Sequence, residues 1–106
     1  MELEKTVRLC ELFDVYKNLL KGKTVEVMDL YLNYNFTLSE IAEQMKISRQ
    51  AVFDYVQKAE KKLEDFEKKL LFLNNKQNLK EKLENIISST SDKKVKSKLL
   101  KLYEEV

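Results

Sequence analysis

The chain has 106 residues, of which 43% are hydrophobic and 36% are charged, and its 20 basic and 18 acidic residues give a net charge of +2. This length is typical of one domain, and with one glycine and no proline there are too few turn residues for a β-rich or α/β fold, so the composition predicts an all-α protein. Histidine is absent and Cys10 is the only cysteine, which excludes an intrachain disulfide, a Cys/His zinc site, a Ser-His-Asp triad and a Cys-His dyad.

The first two predicted helices lie before residue 33. Apolar residues recur at steps of three and four from Leu3 to Leu20, which is the pattern of a helix with one buried stripe. We expect Gly22 to be the C-cap of this helix, because it is the only residue of the chain that takes a positive φ without steric cost. Thr24 is then the predicted N-cap of a short second helix that ends at Leu32.

The next two helices are predicted from their N-terminal capping residues. Thr37 and Glu40 match the Thr-x-x-Glu capping box, which opens a short third helix. Ser48 is the predicted N-cap of a long fourth helix without a breaker until about Leu73. Its apolar residues alternate steps of four and three, which is a heptad seam. This seam consists of Val52, Val56, Ala59, Leu63, Phe66, Leu70 and Leu73.

The C-terminal part of the chain has two further predicted helices. Asn74 and Asn75 are expected to end the fourth helix, and a fifth follows with apolar residues from Leu79 to Ile87. Residues 88–91 form the predicted linker, and Asp92 is the predicted N-cap of a last helix. We therefore expect a domain over residues 1–75, which ends with the long fourth helix, and a helical extension over residues 76–106.

The third and fourth helices together predict a helix-turn-helix motif. A three-residue turn centred on Ile47 joins them, and Ala42 is small enough to let the helices cross closely. Val52 and Val56 recur on the side of the fourth helix that would pack on Ile41. We therefore expect one buried cluster that consists of Ile41, Ala42, Ile47, Val52 and Val56. The alternative is a plain helical hairpin. In a helix-turn-helix, the first turns of the second helix project outward and enter a major groove of DNA.

The candidate nucleic-acid-binding residues face away from the buried stripe of the fourth helix. Arg can pair with guanine, Gln with adenine, and an aromatic ring can contact a thymine methyl, while Lys binds phosphate. Asp54 lies among them and would repel phosphate. The candidates are Arg49, Gln50, Phe53, Gln57, Lys58, Lys61 and Lys62.

Several stretches of the sequence resemble the YlxM family of small bacterial proteins, which is similar to the region-4 DNA-binding domain of sigma factors. The resemblance covers residues 8 to about 72 and rests on LFDVYKNLL, SEIAEQ, ISRQAVFDYV and KAEKKLEDFEKKL in this order. It implies a dimeric helical protein that takes part in the signal recognition particle pathway, with nucleic acid and components of the particle as partners. DNA is the favoured nucleic acid over RNA.

The distal part of the seam predicts a homodimer. The first helix covers only part of it, and contiguous apolar surface of this size is rarely left in water. The predicted dimer interface consists of Leu63, Phe66, Leu70 and Leu73. The neighbouring carboxylates Glu64 and Glu67 are interpreted as solvated partners of lysines on the same helix.

Membrane and catalytic functions have no support in the sequence. No run approaches the 18 apolar residues of a membrane span, and the N-terminal MELEKTVRL lacks the apolar stretch of a signal peptide. We therefore expect a cytoplasmic protein that is not an enzyme and has no metal, cofactor or membrane insertion. Two functions remain, a nucleic-acid-binding regulator and a protein–protein adaptor with a sigma-like fold that does not bind DNA.

Overall fold

The computed structural model describes residues 2–106, which contain six α-helices and no strand, so the all-α prediction is confirmed. The chain divides into two compact units, Met1–Leu70 and Leu71–Val106. A short 3₁₀ turn, Lys17–Leu19, follows the first helix. The helices are α1 (Glu2–Tyr16), α2 (Lys23–Leu32), α3 (Leu38–Met45), α4 (Arg49–Leu70), α5 (Phe72–Ser89) and α6 (Lys93–Glu105).

The first unit is built around α4, on which α1, α2 and α3 all pack. The buried side chains come from all four helices and form one hydrophobic core. Its largest fully buried side chains are those of Leu12, Tyr16, Val27, Met28, Ile41, Val52 and Leu63. Burying side chains of this size is the main source of stability in a domain of about 70 residues, because each contributes roughly 1.5–3 kcal/mol relative to an exposed position.

The helix-turn-helix is confirmed, and its local chemistry follows the prediction. The Thr37 N–H donates to Glu40 Oε1 over 2.9 Å, and the Glu40 N–H donates to Thr37 Oγ1 over 3.1 Å. These hydrogen bonds, first of all that from the Thr37 backbone, hold the pKa of Glu40 below its usual value. Ser48 Oγ accepts from the Ala51 N–H over 3.0 Å and so caps α4.

The turn between α3 and α4 is closed by its backbone. Lys46 has left-handed dihedral angles, with φ 56° and ψ 45°, and the Ile47 N–H donates to the Ala42 carbonyl over 3.1 Å. Ile41, Ala42, Val52 and Val56 are buried as predicted. Ile47 is only half-buried, so its predicted burial is wrong. It lies at the centre of a surface turn, where fewer side chains can cover it.

The segment between α1 and α2 differs from the prediction. α1 ends at Tyr16 instead of Leu20, and Leu20 has extended dihedral angles. Gly22 has a positive φ of 63°, but it is the N-cap of α2 and not the C-cap of α1. Its ψ of −140° is far from the left-handed helical value that a C-cap requires. Thr24 therefore lies inside α2 and is not its cap.

The end of α4 also differs from the prediction. α4 ends at Leu70, and Leu71 then has φ 57° and ψ 25°, so Leu73 lies on α5 and not on α4. The predicted break at Asn74 and Asn75 is wrong, since both lie exposed in the first turns of α5. An exposed asparagine is tolerated in a helix at a small cost in propensity.

The second unit is a helical hairpin of α5 and α6. Ser88 and Ser89 belong to α5, where their hydroxyls donate to the carbonyls of Asn85 and Ile86, so the connection is shorter than predicted. Asp92 caps α6 as predicted, because its Oδ1 accepts from the N–H groups of Lys94 and Val95 over 2.9 and 3.3 Å.

Candidate nucleic-acid interface

The structure leaves every candidate nucleic-acid-binding side chain exposed on α4. Val52, Val56, Ala59 and Leu63 occupy the buried face of this helix. At about 100° of rotation per residue, the exposed surface divides into three strips along the helix axis. We call them the central strip, opposite the core, the α1 flank and the α2 flank. The seven exposed candidates are Arg49, Gln50, Phe53, Gln57, Lys58, Lys61 and Lys62.

The central strip contains Gln50, Asp54, Gln57 and Lys61. Gln50 Nε2 donates to Asp54 Oδ1 over 3.1 Å, one helical turn apart. Glutamine recognises adenine through two hydrogen bonds, one as donor and one as acceptor. Gln50 must therefore break its hydrogen bond to Asp54 before its amide can form both of them. Asp54 is an acceptor that matches the N4 amino group of cytosine. The structure thus couples Gln50 to a carboxylate that the sequence analysis treated only as a source of repulsion.

The α1 flank combines an exposed aromatic ring with carboxylates of α4 that lie beside basic side chains of α1. Phe53, 42% exposed, lines a groove with Glu60 and with residues of α1 and α2, among them Lys5 and Tyr31. Beside this groove the Arg8 guanidinium donates to both Glu64 carboxylate oxygens over 3.1 and 3.2 Å. This pairing raises the pKa of Arg8. Glu64 is therefore a partner of α1, and the prediction that it pairs with lysines of its own helix is wrong.

The α2 flank is basic. Lys58 and Lys62 line a shallow groove together with Asp54 and Tyr55 of α4 and Thr24 of α2. The ion pairs found among residues 2–106 are Arg8–Glu64 and Lys69–Asp65, so the ammonium groups of Lys58 and Lys62 are not held by a carboxylate. Two cations one helical turn apart beside a groove are suited to successive phosphates of a nucleic-acid strand.

The structure does not bring all seven candidates together. Phe53 lies on the α1 flank, and Lys58 and Lys62 lie on the α2 flank, on the far side of the central strip. Thr24 and Tyr55 line the same groove as the lysines, and neither is among the seven predicted residues. The spacing of Tyr55 and Lys58 on one helix could have indicated that contact. The position of Thr24, more than 25 residues away in sequence, could not.

The predicted dimer interface is largely covered within one chain. Leu63 is fully buried and Leu73 is 4% exposed. Phe66 is half-buried, with its ring centroid 5.9 Å from that of Tyr16. Leu70, at 40%, is the one of these four residues with an exposed side chain.

Glu67 has a structural role on the buried side of α4. It is 5% exposed, and its Oε1 accepts a hydrogen bond of 2.5 Å from the hydroxyl of Tyr16, which is itself buried. The prediction that Glu67 is solvated is therefore wrong. The pair joins α1 to the last turn of α4 and serves the fold of the first unit, not the exposed interface.

Other kinds of site have no support in the described part of the chain. No group of three or more acidic or cysteine side chains within residues 2–106 is arranged to hold a metal ion. None of the helices described combines the length and the apolar character needed to cross a membrane.

Comparison with known proteins identifies the family of the chain. Residues 3–103 match the family model UPF0122, described as "Putative helix-turn-helix protein, YlxM / p13 like". The UPF0122 protein YlxM of Bacillus subtilis (strain 168) is 40% identical over 109 residues, which cover 100% of this chain and 99% of that protein. The UPF0122 protein YofM of Lactococcus lactis subsp. lactis is 45% identical over 75 residues, covering 71% of this chain and 68% of that protein. The matched family is one of helix-turn-helix proteins and not of enzymes.

Proposed function

We propose that this chain, which belongs to the UPF0122 family of YlxM/p13-like helix-turn-helix proteins, is a nucleic-acid-binding regulatory protein. The observation that carries the proposal is the basic α2 flank of α4, where Lys58 and Lys62 line a groove and are not held by a carboxylate. α4 enters the major groove of DNA, Arg49 and Gln50 contact bases, and the lysines contact the backbone. A cytoplasmic location agrees with this role.

A finer proposal concerns the process that the protein regulates. The resemblance to the YlxM family supports a role in the signal recognition particle pathway, with components of the particle as partners. The matching experiment compares two probes, a duplex DNA and the RNA of the signal recognition particle, in the same titration. Tighter binding of duplex DNA at equal salt supports the DNA reader. Tighter binding of the RNA would mean that the α2 flank binds RNA and not DNA.

The salt dependence of binding tests the nucleic-acid proposal. We expect sonicated duplex DNA to bind at low salt and to lose affinity steeply as salt rises, because each phosphate contact releases counterions. Lys58→Ala with Lys62→Ala should lower the slope of log K against log salt by about 1.8, at roughly 0.9 per contact. Lys5→Ala, on the α1 flank, is the matched control and should leave the slope unchanged.

Two further variants separate base contacts from backbone contacts. On a duplex selected from a random pool, Arg49→Ala should cost about 1–3 kcal/mol of binding free energy, whereas Lys58→Ala should weaken binding to all sequences alike.

Asp54→Asn should strengthen binding to bulk DNA, since it removes a negative charge from the central strip. A chain that binds neither DNA nor RNA at low salt, even with Asp54→Asn, would instead be a protein–protein adaptor. The exposed aromatic ring of Phe53 on the α1 flank favours that second candidate.

Homodimerisation through Leu63, Phe66, Leu70 and Leu73 belongs to the same proposal, since a two-fold pair presents two recognition helices to a palindromic site. Leu70 is the member of this set with an exposed side chain, so Leu70→Asp should weaken the dimer most. Sedimentation equilibrium at micromolar concentration measures this, with Leu19→Asp as a control of similar exposure. A wild-type chain that sediments as a 12.6 kDa monomer would contradict the dimer.

A further inference from the structure

The faces of α5 and α6 that meet in the second unit are fixed by specific contacts. The Tyr103 hydroxyl donates to Glu84 Oε1 over 2.5 Å, and the Lys80 ammonium lies 5.0 Å from the centre of the Tyr103 ring. These contacts orient both helices about their axes. Helical geometry then assigns every other residue of the hairpin to its inner side, its outer side or one of its two edges.

One edge of the hairpin carries two matching pairs of apolar side chains. Leu79 and Ile86 of α5 are each 48% exposed, and Val95 and Leu102 of α6 are 45% and 47% exposed. In each pair the residues are seven positions apart, about 10 Å along the helix. Measured from the Tyr103–Glu84 contact, both pairs point to the same side. We call these four residues the open face.

The apolar residues of the open face are spaced as in a helical bundle from which one helix is missing. Leu83, 5% exposed, lies four residues after Leu79, and the half-buried Leu99 lies four residues after Val95. In a heptad pattern, Leu83 and Leu99 are the inner positions, and the open face supplies the knobs and holes for a further helix. Two helices alone seldom bury enough apolar surface to cover such positions.

The charges beside the open face indicate the chemistry of the missing helix. Its α6 side is bordered by Lys94, Lys98 and Lys101, and its α5 side by Lys82. Glu105 is the one acidic residue of the described chain on these borders. The whole stretch of residues 71–106 has 8 lysines and 5 acidic residues. A second copy of the hairpin would bring the same lysines to the contact, whereas an acidic helix would complement them.

We propose that the open face of the α5–α6 hairpin binds an acidic amphipathic α-helix of a partner protein. The partner helix lays a leucine-type seam between the two apolar pairs and directs glutamates or aspartates towards the lysines on both borders. The four apolar side chains are about half exposed, and helical geometry places them in two rows with Leu83 and Leu99 between them, a spacing that suits a further helix. A membrane-binding helix instead presents one convex apolar row to the lipid. This proposal is independent of α4 and of nucleic-acid binding.

The test uses the full chain and two synthetic helices of about 20 residues, roughly 30 Å long. Both have the same leucine seam, but one has glutamate and the other lysine at the flanking positions. We expect the glutamate helix to bind at least about tenfold tighter by fluorescence anisotropy. Leu79→Ser with Leu102→Ser should weaken it about tenfold or more, and Val7→Ser with Leu19→Ser, of equal exposure, should not.

Charge reversal on the border gives a second test that does not depend on apolar side chains. Lys94→Glu, Lys98→Glu and Lys101→Glu together should reverse the preference towards the lysine helix. The same reversal at Lys17, Lys21 and Lys23 of the first unit is the control for net charge. Circular dichroism verifies that each variant keeps its helices, and the border variants remain informative if Leu79→Ser with Leu102→Ser unfolds the hairpin.

Three results would overturn the proposal. The first is equal binding of the two synthetic helices to the wild-type chain. The second is a dimer in sedimentation equilibrium that Leu79→Ser with Leu102→Ser dissociates, which would assign the open face to a second copy. The third is flotation of the chain with phosphatidylglycerol vesicles that the same substitutions abolish, which would assign the face to a membrane surface.

Discussion

Val52→Asp should unfold the first unit at temperatures where the wild-type chain is folded. Val52 of α4 is fully buried, and so is Ile41 of α3, the helix that packs on α4. A carboxylate placed there would have no cation beside it, and an unpaired buried charge costs about 3–5 kcal/mol. A small domain has a free energy of unfolding of only about 5–15 kcal/mol. Urea and thermal unfolding followed by circular dichroism measure the loss.

The matched control is Gln57→Asp, which introduces the same carboxylate on the exposed side of the same helix. Surface substitutions of this kind change the free energy of unfolding by roughly 0.5 kcal/mol or less. If Val52→Asp and Gln57→Asp melted together, α4 would present a different face to α3 than the structure describes.

The parts of the fold that depend on short-range chemistry could be predicted from the sequence. Thr37, Ser48 and Asp92 each accept hydrogen bonds from N–H groups two or three residues ahead, so the residues needed for recognition are adjacent in the chain. The same holds for the buried stripe of α4, since helical periodicity alone separates Val52 and Val56 from the exposed side chains.

The ends of α1 and α4 could not be predicted, because their turns use residues without a turn signature. Leu71, which follows α4, has left-handed dihedral angles, which cost a non-glycine residue about 1–2 kcal/mol and persist only where the rest of the fold requires them. Asn74 and Asn75, which do have a turn signature, are helical. Gly22 was correctly identified as a residue with positive φ, but its assignment to α1 depended on a helix end that tertiary packing decides.

The exposure of the candidate site and its local pairing could be predicted from the sequence, but its long-range pairing could not. Periodicity places all seven candidates on the outer side of α4, as the structure has them. The bond between Gln50 and Asp54 is local, at a spacing of four residues, and could have been foreseen. Arg8 and Glu64 are 56 residues apart, so only the packing of α1 on α4 reveals their contact. That contact pairs the charge of Glu64, whereas Lys58 and Lys62 on the α2 flank are not held by a carboxylate.

Glu67 shows why a pattern of apolar residues is an incomplete guide to a core. It lies four residues after Leu63 and so continues the buried face of α4, but its charge suggested a solvated position. A buried carboxylate is tolerated when hydrogen bonds satisfy it, and Tyr16 donates one from α1. The donor is 51 residues away in sequence, beyond the reach of any helical spacing rule.

Removing the Tyr16 side chain should destabilise the first unit almost as much as a charge at Val52. Tyr16 is 1% exposed, and Tyr16→Ala loses both its ring contact with Phe66 and the hydrogen bond to Glu67. Truncating a buried aromatic residue costs about 3–5 kcal/mol. Tyr16→Phe keeps the ring and removes only the hydroxyl, and a hydrogen bond to a charged group contributes about 1.5–3 kcal/mol. Urea unfolding of the two variants therefore separates packing from hydrogen bonding.

A double-mutant cycle with Glu67→Gln isolates the pair itself. The coupling free energy between Tyr16→Phe and Glu67→Gln should lie at about 0.5–3 kcal/mol, since the two side chains are in direct contact. Tyr34→Phe is the control, because the Tyr34 side chain is 63% exposed and the loss of its hydroxyl should change the free energy of unfolding by roughly 0.5 kcal/mol or less. Additive effects of Tyr16→Phe and Glu67→Gln would mean that the carboxylate is stabilised elsewhere. The hydroxyl of Tyr16 would then not be what holds the end of α4 to α1.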